Sequence, residues 1–141
     1  MDSKIIAFLT SHRVCSLTTL LLEGSPHGAA LHYSHQEDPL LLYFSTENTS
    51  RKVEALLNGK SAKASVVIGF SEEEWITLQM DGEVTVVNND QLKEVHKIHY
   101  AKHPDSAKYK DDPETIFLAF TPTWWRYTDY NTTPLTILSS E

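Results

Sequence analysis

Two cations stand where the sequence predicts that a strand passes into a helix. The run Phe44 to Lys60 begins as a strand, breaks at polar residues, and then spaces its apolar residues helically until Asn58-Gly59 ends the pattern. Its first turn, Thr49 to Lys52, contains Arg51 and Lys52 and no acid. Because a helix N-terminus carries partial positive charge, this turn is mildly unfavourable unless an anion lies in front of it.

A site for a small anion is one interpretation of this turn. Free backbone N–H groups point outward from a helix N-terminus, Arg51 offers a planar fork that matches phosphate, and Lys52 offers a mobile point charge. Hydroxyls in the same region add donors, from Ser45, Thr46, Thr49 and Ser50. The alternative is a polar turn capped by Thr49 or Ser50 with two surface cations, and spacing alone does not separate the two.

Three histidines are the other group that could do chemistry. His96, His99 and His103 share one helical stripe with Leu92 and Val95, since their spacings are three and four. Three imidazoles on one face could bind zinc, copper or nickel, but no acid or thiol lies on the same stripe. The pattern therefore favours packing or a dimer seam over a ligand set, and we predict no metal site.

Composition limits the class of protein. The chain has 141 residues and a net charge of −7, enough for a single domain over residues 1–141 with its own core. Nucleic-acid binding is disfavoured because no basic stripe is visible, and the tryptophans Trp75, Trp124 and Trp125 are expected in the core or an interface. No apolar run is long enough to cross a membrane.

Cysteine usage and the N-terminal residues point to the cytoplasm. Cys15 is the only cysteine, so an internal disulfide and a cysteine-based zinc cluster are excluded within one chain. We expect Cys15 to be a small buried hydrophobe. The first residues show no small-residue cleavage pattern, and we expect no signal peptide.

The elements that must position these residues are mainly strands. Periodicity and turn residues predict helices over 3–11, after residue 49 and over 90–103. They predict four strands over 14–22, 27–34, 40–46 and 62–70, and then a long fifth and sixth strand over 75–87. Three more strands are predicted over 115–120, 124–130 and 135–138. Gly82 marks a bulge or bend, and the apolar run Leu40 to Phe44 predicts a mid-sheet strand. Without strict β-α alternation, a small barrel or an α+β sandwich is expected.

The passage from the first strand to the cation pair resembles the FMN-binding split-barrel family typified by pyridoxamine phosphate oxidase. The matching residues are Gly24-Ser25-Pro26-His27-Gly28, Phe44-Ser45-Thr46 and Ser50-Arg51-Lys52-Val53. The ending Trp125 to Asp129, Trp-Arg-Tyr-Thr-Asp, is similar to the close of a small bacterial branch of that superfamily. The resemblance implies a mainly β fold with helices (α+β), a six-stranded split β-barrel that is a single dimeric domain.

The same resemblance implies FMN at the seam of a homodimer. By position, the phosphate ligands would be Ser50, Arg51 and Lys52. The ring would lie near Ala30, His32, Tyr33, Phe44, Ser45 and Thr46, and Gln79 and Trp124 or Trp125 would reach it or close the cleft. Many family members add an Arg or Lys on the second strand, where this chain has only His27 and His32. Haem or a deazaflavin therefore stay open as cofactors.

Two functions follow from the resemblance. The first is a flavin-dependent oxidoreductase of the family acting on an unknown small substrate, with hydride chemistry supplied by the flavin. The second is a non-catalytic flavin or haem carrier, sensor or stress protein on the same fold. A barrel that binds single-stranded nucleic acid ranks third, because the acidic balance opposes it.

Overall fold

Six antiparallel strands close into a barrel, and a seventh extends the sheet. The computed structural model describes residues 1–140. The strands are β1 (Val14–Leu20), β2 (Pro26–Glu37), β3 (Leu40–Glu47), β4 (Ala62–Ile68), β5 (Ile76–Val86), β6 (Thr115–Asp129) and β7 (Thr136–Ser139). Their order is β3-β2-β1-β4-β5-β6-β7, and an additional pairing of β3 with β6 closes the barrel. The predicted mainly β split-barrel fold is confirmed.

Within residues 1–140, two α-helices and three short 3-10 helices accompany the barrel. The α-helices are α1 (Ser3–Ser11) and α2 (Leu92–Lys102). The 3-10 helices are Arg51–Gly59, called here the 51–59 segment, then Asn89–Gln91, and Pro104–Tyr109, called the 104–109 turn. The Asp2 side chain caps α1 by accepting a hydrogen bond from the Lys4 backbone N–H at 2.7 Å. None of the helices in residues 1–140 is long and apolar enough to span a membrane.

The β3 strand is covered on both faces, as its apolar run predicts. Leu42 and Phe44 are fully buried in the barrel core, whereas Tyr43 points outward and packs with Val95 of α2 and Phe117. This outer cluster attaches α2 to the barrel. Elsewhere in the core, Cys15 is fully buried as predicted.

The prediction of two final strands is wrong, because β6 runs unbroken for 15 residues. Pro122, which lacks a ladder N–H, lies in the gap between the two predicted strands. In the structure Pro122 pairs with Gly82 at a bulge where the register shifts between Asp81 and Gly82. A Cβ on Gly82 would collide with the Thr121 backbone carbonyl, so glycine is required for this close approach. The predicted fifth and sixth strands over 75–87 are likewise one strand, β5, with its irregularity at Gly82 as predicted.

The prediction of one amphipathic α-helix after residue 49 is also wrong. The 51–59 segment is a 3-10 helix that is interrupted where Leu57 is extended and Asn58 has φ 60°. With three residues per turn, Val53 and Leu56 share the buried face, and Leu57 falls outside it and is exposed. An anion site here therefore cannot depend on the dipole of a long helix.

Candidate functional site

A cavity of about 450 Å³ lies against β2 and β3, bounded by α2, the 104–109 turn and the chain leading into β6. This volume is in the range of small-molecule and cofactor sites. Five of the predicted site residues line it together, namely Ala30, His32, Ser45, Thr46 and Ser50. Strand alternation explains part of this grouping, since Ala30 and His32 are two residues apart and both exposed on one face of β2.

Tyr33 and Phe44 lie on the other side of the same strands. Both side chains are fully buried in the barrel core and neither lines the cavity. The Tyr33 hydroxyl donates a hydrogen bond to the Leu9 backbone carbonyl at 2.6 Å, and burial raises the pKa of Tyr33. Their side chains therefore support the site from behind, and only their backbone could touch a ring in the cavity.

Lys52 is buried just behind the cavity wall. Its side chain is 5% exposed, and its Nζ donates a hydrogen bond to Ser50 Oγ at 3.1 Å. The Ser50 hydroxyl lies in turn 3.3 Å from Thr46 Oγ1. Burial lowers the pKa of Lys52, with nearby Glu47 acting weakly in the opposite direction. A chain of polar groups thus runs from a buried ammonium to the cavity surface.

Arg51 points away from this group. Its Nη2 is 3.5 Å from Glu23 Oε1 in an ion pair whose side chains are 62% and 61% exposed. Exposed pairs of this kind contribute little free energy. The two adjacent cations of the predicted phosphate site are therefore separated, with Lys52 at the cavity and Arg51 at the surface.

Three carboxylates also line the cavity, those of Glu47, Asp112 and Glu114. The Asp112 Oδ1 accepts a hydrogen bond from the Glu114 backbone N–H at 2.9 Å, which orders this rim before β6. Carboxylates repel a phosphate group, so an anionic ligand is favoured only where the Lys52 ammonium outweighs them, at the end of the cavity beside Ser50, even though Glu47 lies near Lys52.

His99 enters the cavity from α2. Its side chain is 1% exposed, and its Nδ1 lies 2.8 Å from the hydroxyl oxygen of Ser34 on β2. Burial lowers the pKa of His99 to about 3, and the neighbouring imidazoles of His103 and His32 act in the same direction. The cavity therefore contains a neutral imidazole at ordinary pH.

His103 fastens the end of the same helix. Its Nε2 donates a hydrogen bond to the Tyr33 backbone carbonyl at 2.7 Å, and the His103 ring stacks 4.8 Å from that of His99 and 4.9 Å from that of His32. His96 lies outside the cavity, against Phe117. Of the three histidines of the stripe, His99 and His103 thus bond to β2 and lie against each other, whereas His96 makes no bond to β2. Within residues 1–140, no group of three or more His, Cys, Asp or Glu side chains is placed to bind a metal.

Gln79 and Trp125 lie apart from the cavity within this chain. Gln79 is exposed on β5 and lines a separate surface pocket with Trp124, whereas Trp125 is half-buried on β6 against the core. Neither residue lines the cavity behind which Lys52 lies. Their contribution to a bound ring stays a prediction that requires a second subunit.

Sequence reasoning missed one whole side of the site. This side consists of residues that look like a polar connector in the sequence but line the cavity, namely Ser106, Tyr109, Asp112, Glu114 and Thr115. A place for His99 at the site could have been inferred from the sequence, because it is the middle member of the stripe that faces the strands. No pattern in the sequence indicates that its neighbour is Ser34, 65 residues away.

Comparison with known proteins gives a consistent family. The sequence model of the family described as pyridoxamine 5'-phosphate oxidase matches residues 1–129. Among curated protein sequences, none matches the chain.

Solved structures share the fold at low sequence identity. A haem-binding protein from Mycobacterium smegmatis has a TM-score of 0.74 at 16% identity, covering 94% of this chain and 54% of its own. A Clostridium acetobutylicum protein of the pyridoxinephosphate oxidase family, related to general stress protein 26, has a TM-score of 0.72 at 18% identity, covering 100% and 96%. A pyridoxamine 5'-phosphate oxidase-related, FMN-binding protein from Nostoc punctiforme has a TM-score of 0.71 at 15% identity, covering 97% and 88%.

The chain spans about half the length of the Mycobacterium smegmatis protein and nearly the whole of the other two. At these identities the structures establish the fold, while the family rests on the match over residues 1–129. That match agrees with the closed barrel and with the cavity beside Ser50 and Lys52. The chain belongs to the pyridoxamine 5'-phosphate oxidase-like family of split-barrel proteins.

Proposed function

We propose that this chain binds FMN in the cavity between β2, β3 and α2, and that it is a flavin-dependent oxidoreductase acting on a small molecule. The phosphate group would lie at the end formed by Ser50, Thr46 and Lys52. The ring would lie along Ala30 and His32. When bound, FMN supplies hydride transfer, and the chain's own residues bind and orient the cofactor.

The single observation that carries the proposal is the buried ammonium of Lys52. Its hydrogen-bond partner within residues 1–140 is a neutral hydroxyl, and the ion pairs of this part of the chain involve other residues. Burying a charge that has no ion-pair partner costs several kcal/mol, and the Glu47 carboxylate, which is not in ion-pair contact with Lys52, offsets only part of that cost. A phosphate dianion at Ser50 would supply the counter-charge and restore an ordinary pKa to Lys52.

The cavity agrees with FMN in three further respects. Its volume suits a cofactor, and its polar end carries the hydroxyls of Ser50 and Thr46. The carboxylates Asp112 and Glu114 oppose the phosphate at the rim before β6, so they favour one orientation of the ligand, whereas Glu47 lies near Lys52 and does not contribute to this preference. Arg51 fits the proposal least, because it is directed to Glu23.

We also infer a homodimer with the cofactor at the subunit seam. Exposed apolar side chains support an interface, among them Leu20, Leu22, Phe70 and Ile137. Gln79 or Trp125 of the partner subunit would then complete the site. The lone, buried Cys15 suits a reducing compartment, and we infer a cytoplasmic location.

The proposal is tested by titrating the purified protein with FMN and then mixing the complex with NADPH or NADH in a stopped-flow instrument. We expect quenching of flavin fluorescence on binding and bleaching of the oxidised flavin band by a nicotinamide donor. Binding without reduction by either donor would favour a flavin carrier or sensor. A protein that takes up hemin but not FMN, or that retains single-stranded nucleic acid in a salt-sensitive way, would contradict the proposal.

A further inference from the structure

His99 is the most deeply buried side chain on the cavity wall. It is 1% exposed, as is its partner Ser34, and the hydrogen bond between Ser34 Oγ and His99 Nδ1 is 2.8 Å long. Side chains held in this way lose little conformational freedom when a ligand binds. His99 is therefore built to contact whatever occupies the cavity.

The direction of that hydrogen bond follows from the partners of Ser34. A serine hydroxyl has one hydrogen to donate, and within residues 1–140 the Ser34 side chain has no hydrogen-bond partner other than His99. If Nδ1 carried the imidazole hydrogen, the buried hydroxyl hydrogen would have no acceptor, which costs free energy. Ser34 therefore donates to an unprotonated Nδ1.

The other ring nitrogen must then carry the hydrogen. Burial lowers the pKa of His99, so its imidazole is neutral and has a single N–H, which lies at Nε2. Nε2 makes no hydrogen bond within residues 1–140. It is also absent from the fully enclosed, unpartnered side-chain atoms, which are Thr19 Oγ1, Tyr100 Oη and His103 Nδ1. Since His99 lines the cavity, its Nε2–H is open to a ligand there.

We propose that His99 is a specificity-determining residue that presents an N–H donor to an acceptor atom on the ring of the bound cofactor, with Ser34 as its positioning residue. This inference rests on the proposed cofactor function. A flavin ring carries carbonyl oxygens and ring nitrogens that accept such a bond. A haem iron needs the lone pair of an imidazole nitrogen, and Nε2–H does not offer one. The Ser34–His99 pair thus disfavours haem ligation, because freeing the Nε2 lone pair would move the imidazole hydrogen to Nδ1 and leave the Ser34 hydroxyl hydrogen without an acceptor.

The tautomer can be measured without any cofactor. Nitrogen-15 NMR of the imidazole side chains distinguishes Nε2–H from Nδ1–H. We expect His99 to be the Nε2–H tautomer in the wild-type chain and a mixture of tautomers in Ser34→Ala. A wild-type His99 that is Nδ1–H, or a tautomer unchanged by Ser34→Ala, would overturn the assignment.

The cofactor contact is tested by comparing FMN affinity and the flavin absorption spectrum in wild type, His99→Leu and His99→Gln. One neutral hydrogen bond is expected to be worth roughly two- to tenfold in affinity. His99→Leu should lose that factor and shift the flavin band, and His99→Gln, which keeps a donor, should recover part of both. His96→Leu is the matched control, because His96 is on the same helix but outside the cavity.

The outcomes separate this inference from the function on which it rests. If wild type binds FMN and His99→Leu has the same affinity and spectrum, the His99 assignment fails while FMN binding stands. If wild type does not bind FMN, the proposed function fails and the His99 contact fails with it. If hemin gives a histidine-ligated spectrum that His99→Leu removes and His99→Gln does not restore, selection against haem is overturned. Circular dichroism of each variant establishes that it is folded.

Discussion

Lys52 and Arg51 are neighbours in sequence with opposite surroundings. Lys52 is buried behind the cavity, while Arg51 is 62% exposed and paired with Glu23. The sequence could predict that cations and hydroxyls would gather after β3, because the residue types are visible. It could not predict which cation faces the cavity, since that depends on the 3-10 geometry of the 51–59 segment. The structure therefore separates two residues that the sequence treated as a pair.

This separation predicts unequal effects of two substitutions on FMN binding. Lys52→Met keeps the length of the side chain and removes its charge, and we expect it to weaken FMN binding roughly ten- to a hundredfold. Arg51→Ala should change affinity by less than about fivefold, because an exposed ion pair contributes little. Fluorescence titration measures both.

The melting temperature of Lys52→Met is the control for a general loss of stability. An unpaired buried ammonium costs desolvation free energy, so Lys52→Met should not lower the melting temperature of the cofactor-free protein. A loss of FMN affinity in Lys52→Met is then separate from a loss of stability. A larger effect of Arg51→Ala than of Lys52→Met would refute the assignment of Lys52 to the phosphate.

At the scale of elements, α2 is held to the barrel by apolar packing and by two histidines. Val95 packs in the outer cluster with Tyr43, and His99 and His103 bond to Ser34 and to the Tyr33 carbonyl. The sequence could predict this helix and its end at Pro104, because its periodicity is clear. It could not predict the bonds, since Ser34 and Tyr33 are about 65 to 70 residues away. The unbroken course of β6 through Pro122 could not be predicted either. It depends on the bulge at Gly82, which lies on another strand, β5.

Because α2 packs on the barrel through the buried His99, we expect the free energy of unfolding to fall as the pH is lowered. The pKa of His99 is about 3 in the folded chain, against an ordinary value of 6.5. Between these values the unfolded chain binds a proton that the folded chain does not. The contribution of neutral His99 to the free energy of unfolding is therefore complete above about pH 6.5 and is lost as the pH falls toward 3. At pH 4 the loss is at most about 3 kcal/mol.

Urea unfolding at a series of pH values measures this effect in wild type and in His99→Gln. The variant should have a shallower decline below about pH 6.5, because its side chain does not titrate. Burial also lowers the pKa of His103 and His96, so part of the decline should remain. The titratable groups that act on the pKa of His99 are all basic, namely His103, His32, Lys102 and His96. Parallel curves for wild type and His99→Gln would contradict a neutral buried His99.

At the scale of the whole molecule, the barrel could be predicted but its closure could not. Many strands with few helices leave a small barrel and an α+β sandwich open, and the resemblance to the family selected the six-stranded barrel. The order β3-β2-β1-β4-β5-β6 depends on pairs distant in sequence, such as Leu42 of β3 with Phe120 of β6. The sequence of a single strand indicates which of its faces is buried but does not indicate which other strand it pairs with.

If the site is shared between two subunits, two variants that each bind FMN weakly should complement each other in a mixed dimer. Lys52→Met removes the phosphate contact, and Gln79→Ala removes the residue proposed to reach the partner subunit's flavin. Mixed dimers of the two variants contain one site in which both residues are intact. Refolding the variants together should therefore restore tight FMN binding to about one site per mixed dimer.

Each variant refolded alone is the control, and analytical ultracentrifugation gives the oligomeric state. If Lys52 and Gln79 serve the same subunit's site, mixing restores nothing. A monomer at micromolar concentration would contradict the proposed seam.

The strand β6 pairs with three others, with β3 through Leu42 to Glu47, with β5 along most of its length, and with β7. During synthesis the ribosome must therefore release more than four-fifths of the chain before the cylinder can be sealed. Until residues 115–129 emerge, β3 and β5 both present unpaired edges that invite aggregation. A nascent chain stalled before that point should depend on chaperones, and a chain released after it should not.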